Sequence, residues 1–245
     1  MTRKAILFLV VVLIPFYNIF ASVPVSEKAK ALRTYIENNY ASLIFEGPKP
    51  DYDLFKKGLI GYLNLKSQNK LADNGLLTLI DFRMSSNKKR LWVIDLKKHK
   101  VLYHTLVAHG RNTGNEFAKT FSNVPNSNSS SLGFYVTGET YYGKHGLSMR
   151  LDGVESGFNN NARRRAIVMH GADYVDKSYT KSYGRIGRSF GCPSIPMSYH
   201  KDMIPKLANK SCLFIYYPDA NYLENSSLID EEVAFEAIST LQYLL

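Results

Sequence analysis

Leu76-Leu-Thr-Leu-Ile-Asp-Phe82, Arg90-Leu-Trp-Val-Ile-Asp95 and Lys100-Val-Leu-Tyr-His-Thr-Leu-Val-Ala108 follow one another with only short joints between them. Each run combines β-branched, aromatic and leucine residues at a period near two, which suits strands rather than helices. The joint Leu96-Lys97-Lys98-His99 reads as the turn of a hairpin. Further strands are expected at residues 133–137, 166–169 and 212–217. Such a series predicts a mainly β domain, a largely antiparallel sandwich or distorted barrel, rather than a doubly wound α/β fold. Two polar, turn-rich stretches, residues 110–131 and 177–189, interrupt the strands, and loops of that length in a compact domain are usually functional.

Outward from this β region the texture is helical. Residues 26–41 place Ala29, Leu32, Ile36 and Tyr40 at spacings of three and four among charges, with Ser26 as a candidate N-cap. Residues 52–68 do the same with Phe55, Leu59, Tyr62 and Leu63, and Gly47-Pro48-Lys49-Pro50 separates the two stretches. A closing amphipathic helix is expected over residues 230–245. The first residues, Met1-Thr-Arg-Lys followed by a short apolar run and Phe20-Ala21-Ser22, have the layout of a secretory signal peptide cut after Ala21. The apolar run is too short to span a bilayer comfortably, since a spanning helix needs about 20 apolar residues. The expected organisation is therefore a signal peptide at 1–21, a helical N-terminal region at 22–75 and a catalytic domain at 76–245. The expected location is outside the cytoplasm, in the periplasm or cell envelope, with membrane contact only through the signal segment.

The chain carries 31 Lys and Arg against 21 Asp and Glu, a formal charge of +10. Loss of Arg3 and Lys4 with the signal segment leaves it distinctly basic. A positive field concentrates anionic polymers and peptide carboxylates. The basic residues are dispersed and carry no nucleic-acid-binding motif, which disfavours DNA or RNA as partner. With 45% hydrophobic and 21% charged residues the composition is that of an ordinary folded domain.

Two cysteines leave two readings: a disulfide between Cys192 and Cys212, or one reactive thiol. Cys212 opens the apolar run Cys-Leu-Phe-Ile-Tyr-Tyr217 and reads as a small buried hydrophobe, whereas Cys192 sits in Gly187-Arg-Ser-Phe-Gly-Cys-Pro193. Glycine there lets the backbone approach a substrate, and the arginine supplies charge that favours thiolate. A thiol near its ordinary pKa of about 8.5 needs a base. His170 is the candidate, because it ends the apolar run Ala166-Ile-Val-Met169 and precedes Gly171. His145 and Tyr142, in Tyr141-Tyr-Gly-Lys-His-Gly146, are candidates to line the cleft. A metal site built from His109, His145 and His170 is the rival enzyme reading, but the spacings match no ligand pattern.

His170-Gly171 and Ser189-Phe190-Gly191-Cys192 resemble the active-site motif of the murein L,D-transpeptidases, in which a strand ends in His-Gly and a later Ser-x-Gly-Cys supplies the nucleophile. The closer resemblance is to a divergent branch with a Gly-Arg-Ser-x-Gly-Cys-Pro signature, here residues 187–193. Ser130-Ser-Leu-Gly-Phe-Tyr-Val-Thr137 is similar to the family's Thr-Pro-x-Gly-x-Tyr strand, and the likeness spans roughly residues 76–217. The chain departs from the commoner members in having Phe190 where they have a second histidine, and Pro193-Ser194-Ile195 where they have an arginine. Arg185 and Arg188 are the substitutes expected to meet a substrate carboxylate.

The resemblance implies a mechanism without cofactor or metal. His170, oriented by the carbonyl of Gly171, would deprotonate Cys192. The thiolate would attack a stem tetrapeptide ahead of its terminal D-alanine, with the N–H groups of Gly191 and Cys192 holding the oxyanion and Ser189 in the motif beside them. An amine acceptor then gives a 3→3 cross-link and water gives carboxypeptidase activity. The expected partner is peptidoglycan, and the protein is expected to act as a monomer. A non-catalytic murein-binding module of the same fold is the alternative from a different class.

Overall fold

The computed structural model describes residues 25–242. The signal segment expected at 1–21 lies outside the described residues. Two helices open the described chain, α1 (Val25–Ala41) and α2 (Tyr52–Ser67). Seven strands follow: β1 (Leu76–Asp81), β2 (Leu91–Asp95), β3 (Lys100–Thr105), β4 (Gly133–Gly143), β5 (Gly146–Gly153), β6 (Val168–His170) and β7 (Cys212–Tyr216). Short helices α3 (Ser178–Tyr183) and α4 (Met197–Leu207) fall between β6 and β7, and α5 (Ala220–Asn225) and α6 (Glu231–Gln242) close the described chain.

The strands form one sheet in the order β3-β2-β1-β7-β4-β5-β6, which curls into a half-barrel. Every neighbouring pair is antiparallel except β1 and β7, which run parallel. The mainly β, largely antiparallel expectation therefore holds, with a mixed sheet as the refinement. The 96–99 joint does close the β2–β3 hairpin, and His99 takes φ 49° there. Strand β5 is an element the sequence reading did not draw, and β4 runs on to Gly143 instead of ending at residue 137. α1 is already helical at Val25, so Ser26 lies inside it rather than capping it.

Strands β1, β2 and β7 are buried along their whole length, whereas β3 alternates. A strand covered on both faces loses the polar half of its alternation. The cover on one face is α2, capped by Asp51, whose carboxylate accepts from the N–H groups of Asp53 and Leu54. Two glycines let this helix lie close. A Cβ on Gly58 would come within 2.3 Å of Leu79, and one on Gly61 within 2.0 Å of Phe134. Phe134 stacks on Phe214 at 4.1 Å across the β4–β7 pair, so Gly61 rides over the middle of the sheet. Leu32, Ile36, Leu54, Phe55 and Leu59 of the helices belong to the same core as the sheet residues. α6 packs on α1 and α2, and Asn64 fastens the tail by donating to the carbonyls of Leu228 and Asp230 at 2.9 Å each. No helix among the described residues is long and apolar enough to cross a membrane.

Candidate active site

The segment carrying Cys192 is stitched on both sides. Ser189 N–H donates to the His109 carbonyl at 3.0 Å and Arg111 N–H to the Ser189 carbonyl at 2.8 Å, while Ala108 N–H donates to the Ser194 carbonyl at 2.9 Å. On the other side Ile195 N–H donates to the His170 carbonyl and Ala172 N–H to the Ile195 carbonyl, each at 2.9 Å. The continuation of β6 thus runs beside the residues that follow Cys192. Gly171 has no room for a side chain, since a Cβ would meet His200 and Met197 of α4 at 2.8 Å.

The turn itself is shaped by Ser189, whose hydroxyl donates to the Cys192 carbonyl at 2.7 Å and accepts from Gly191 N–H at 3.0 Å. Gly191 sits at φ +123°, in backbone space that favours glycine. A Cβ there would press within 2.7 Å of the Ser129 carbonyl. One consequence corrects the sequence reading: Gly191 N–H is engaged inside the turn, so it is not a free oxyanion donor. Among the described residues the N–H of Cys192 has no acceptor outside its own residue.

Cys192 and His170 line one cleft of about 340 Å³. The thiol accepts from Val168 N–H at 3.5 Å and lies 3.7 Å from the Ala166 carbonyl. Ala166 takes φ 54°, a left-handed conformation that costs an alanine about 1–2 kcal/mol and turns its carbonyl toward the sulfur. His170 is buried, with 2% of its surface exposed. Its Nδ1 lies 2.9 Å from the Gly171 carbonyl, which can only accept, so Nδ1 carries the proton. Its Nε2 lies 2.9 Å from Ser194 Oγ, and Ser194 Oγ lies 3.0 Å from the Tyr174 hydroxyl. Among the described residues no hydrogen bond joins Cys192 to His170 directly.

Burial pushes the Cys192 thiol up, against the opposing pull of the Val168 N–H and the positive charges of Arg165 and Lys144. Burial also pulls His170 down, opposed by its bond to the Gly171 carbonyl and reinforced by His145 and Lys144. Both shifts favour the neutral thiol and the neutral imidazole over the charged pair. The favourable charge near sulfur comes from Arg165 and Lys144, not from the arginine of the motif as the sequence suggested.

Other expected residues divide. His145 lines the cleft and stacks on His170, with ring centroids 4.3 Å apart. Arg188 lines the cleft, but its guanidinium donates to the carbonyls of Arg111 and Gly114 at 3.0 and 2.9 Å. Arg185 does not line the cleft; it holds Asn115 at 2.7 Å and the Ile186 carbonyl at 2.8 Å. Tyr142 is 84% exposed and outside the cleft, and its neighbour Tyr141 lines the wall instead. His109 is fully buried elsewhere, with Nδ1 2.8 Å from Arg90. Cys212 is buried in β7 and both cysteines are free thiols, so the disulfide reading falls.

Residues the sequence did not single out complete the site. Arg165 lines the cleft and gathers the Ser-rich loop, donating to Ser122 O, Ser131 Oγ, Ser127 Oγ and Ser129 O at 2.7, 2.9, 3.1 and 2.6 Å. Ser130 Oγ adds a bond to the Gly191 carbonyl at 3.2 Å, so this loop buttresses the turn that carries Cys192. Among the described residues Lys144, Arg165 and Arg188 line the cleft and no carboxylate does.

A search of curated proteins gives no match. A family model described as the L,D-transpeptidase catalytic domain matches residues 46–216, from ahead of α2 to the end of β7, a wider span than the motifs alone mark out. That match takes in the sheet, the cleft and the Gly187–Pro193 turn in one stretch, and the chain belongs to the L,D-transpeptidase catalytic domain family.

Proposed function

We propose that the protein is a cysteine-dependent L,D-transpeptidase that acts on peptidoglycan stem tetrapeptides. The observation that carries the reading is the meeting of Cys192 and His170 in one open cleft, with the imidazole oriented through Nδ1 by the Gly171 carbonyl. Cys192 is the nucleophile and His170 the base. The thiolate attacks the carbonyl ahead of the terminal D-alanine, and the oxyanion meets the N–H of Cys192. Each such donor is typically worth about 3 kcal/mol in the transition state. D-alanine leaves with the proton returned by His170, and a thioester remains. An amine from a second stem resolves it into a 3→3 cross-link, and water resolves it into a trimmed stem. A cleft lined by Lys144, Arg165 and Arg188 suits a donor that ends in a carboxylate. The basic charge and the signal-peptide layout of the first residues support action outside the cytoplasm, at the cell envelope.

Incubation with purified tetrapeptide muropeptides, followed by mass analysis, is expected to give D-alanine release and cross-linked or trimmed products with the wild type and none with Cys192→Ala. Release that persists in Cys192→Ala removes the nucleophile assignment. The absence of a direct bond between thiol and imidazole favours a second reading, a murein-binding module without turnover. That reading predicts muropeptide binding with no product from the wild-type chain.

A further inference from the structure

The base of this site has one nitrogen free for proton transfer, and a serine hydroxyl stands on it. Because Nδ1–H is given to the Gly171 carbonyl, Nε2 of neutral His170 can only accept, so Ser194 donates its proton at 2.9 Å. Ser194 Oγ in turn accepts from the Tyr174 hydroxyl at 3.0 Å. Tyr174 lines the same cleft as Cys192, so the hydroxyl end of this chain opens on the space that holds the sulfur. The sulfur meanwhile spends its own contacts on Val168 and Ala166.

The chain Tyr174–Ser194–His170 is built rather than incidental. Ser194 has no exposed surface, and its backbone is fixed by N–H donation to the Cys192 carbonyl at 3.0 Å and by the Ala108 N–H on its own carbonyl. Tyr174 lies against Gly187, where a Cβ would come within 2.4 Å of it, so the glycine that opens the 187–193 motif is kept bare by this ring.

We infer that His170 exchanges its proton with the cleft through Ser194 and Tyr174 rather than by direct contact with Cys192. The inference rests on the assignment of Cys192 as nucleophile and His170 as base. In the forward step the S–H bond breaks and its electron pair stays on sulfur. The released proton bonds to the Tyr174 oxygen as the proton of that hydroxyl passes to Ser194 Oγ and the Ser194 proton passes to Nε2. Both hydroxyls end neutral, and the products are a thiolate and an imidazolium. Run backward, the same chain returns a proton to the departing amine. The titratable and charged groups facing this chain are Cys192, Arg165 and Arg188, Tyr141 of β4, Lys144 and His145 from the β4–β5 turn, and His200 of α4 against Gly171.

The test is the pH dependence of Cys192 alkylation by iodoacetamide on the full chain, read by peptide mass, which also separates Cys192 from buried Cys212. Ser194→Ala and Tyr174→Phe are each expected to slow labelling near neutral pH by about tenfold or more, toward the rate of His170→Ala. All four proteins should converge at alkaline pH, where the thiol ionises unaided. Tyr174→Phe keeps the ring on Gly187, so it guards against a folding defect in Ser194→Ala. An unchanged profile in both variants makes the hydroxyls mere packing and overturns the relay. Faster labelling overturns it too, since the serine would then be obstructing the base. Labelling needs no peptidoglycan, so a failure of turnover with a normal labelling profile strikes the proposed function and leaves the relay standing.

Discussion

Cys192 is held by backbone on two sides, with Val168 N–H on its sulfur and the Ala166 carbonyl opposite, and its charge balance is set by groups far off in sequence. Of the three cations in the cleft, Arg165 and Arg188 already have their guanidinium groups engaged by oxygen acceptors. Lys144, at the tip of the β4–β5 turn, has no ion pair or hydrogen bond among the described residues. It is the cation available to meet an anionic reagent. Lys144→Met is therefore expected to reduce the rate of Cys192 alkylation by iodoacetate relative to neutral iodoacetamide by about two- to fivefold, an effect that added salt should erase in the wild type. A ratio equal to that of the wild type at low salt rules Lys144 out as the anion contact. At this scale the placing of Cys192 and His170 in one cleft, with Gly171 against the imidazole, was legible from residue type and neighbours. Tyr142 was misread for Tyr141, since the register shift between Thr137 and Thr140 breaks the alternation along β4. Ser194 and Tyr174 gave no signal at all: their contact with His170 follows from the pairing of residues 170–172 with 194–195, which is a tertiary fact.

Among the elements, α2 has the tightest seat. Gly61 lies over Phe134, with 2.0 Å between a hypothetical Cβ and the ring, and Phe134 cannot retreat because Phe214 is stacked behind it. Gly61→Ala would ordinarily favour a helix by up to about 1 kcal/mol. Here overpacking of about 1–3 kcal/mol reverses the sign. The expected result is a fall in thermal midpoint of a few degrees, on the order of 2–4 °C per kcal/mol for a chain of this size. A Gly61→Ala protein that melts higher than the wild type would show that the helix can slide. The helices and the early strands were readable because periodicity reports burial directly. Strand β5 was missed although Leu147, Met149 and Leu151 do alternate in it, because it follows β4 through a turn of only Lys144 and His145 and the stretch reads as one loop. α4 was hidden by Pro196 and Pro205, one just before the helix and one inside it.

For the whole molecule, the buried charges set the response to acid. His109 is enclosed with Arg90, whose guanidinium donates to its Nδ1 at 2.8 Å, and burial together with that positive charge holds the imidazole down at about 3. In the unfolded chain the same group titrates near 6.5. The unfolded state therefore binds a proton that the folded state refuses, so this stabilisation is whole above about pH 6.5 and is lost as pH falls toward 3, by on the order of a few kcal/mol. Thermal melts across that interval should show a decline that is shallower in His109→Gln, even though the variant starts from a lower midpoint. Parallel slopes for the two proteins would place the acid sensitivity elsewhere. Compositional reading gave the basic sign of the surface but could not reveal this interior pair, because burial of Arg90 and His109 depends on how the loop after β3 closes over them.

The place of β7 in the sheet has a consequence for how the protein comes into being. It is the last strand among the described residues, yet it lies between β1 and β4, so every strand pairing there that unites β1–β3 with β4–β6 runs through it. While a ribosome is still making residues 212–216, the two half-sheets have no shared edge, and α2 has only half of its seat. Cooperative folding must wait for that final strand, which makes assembly slow and dependent on distant contacts. Each newly synthesised copy thus lacks a continuous sheet until β7 has been made.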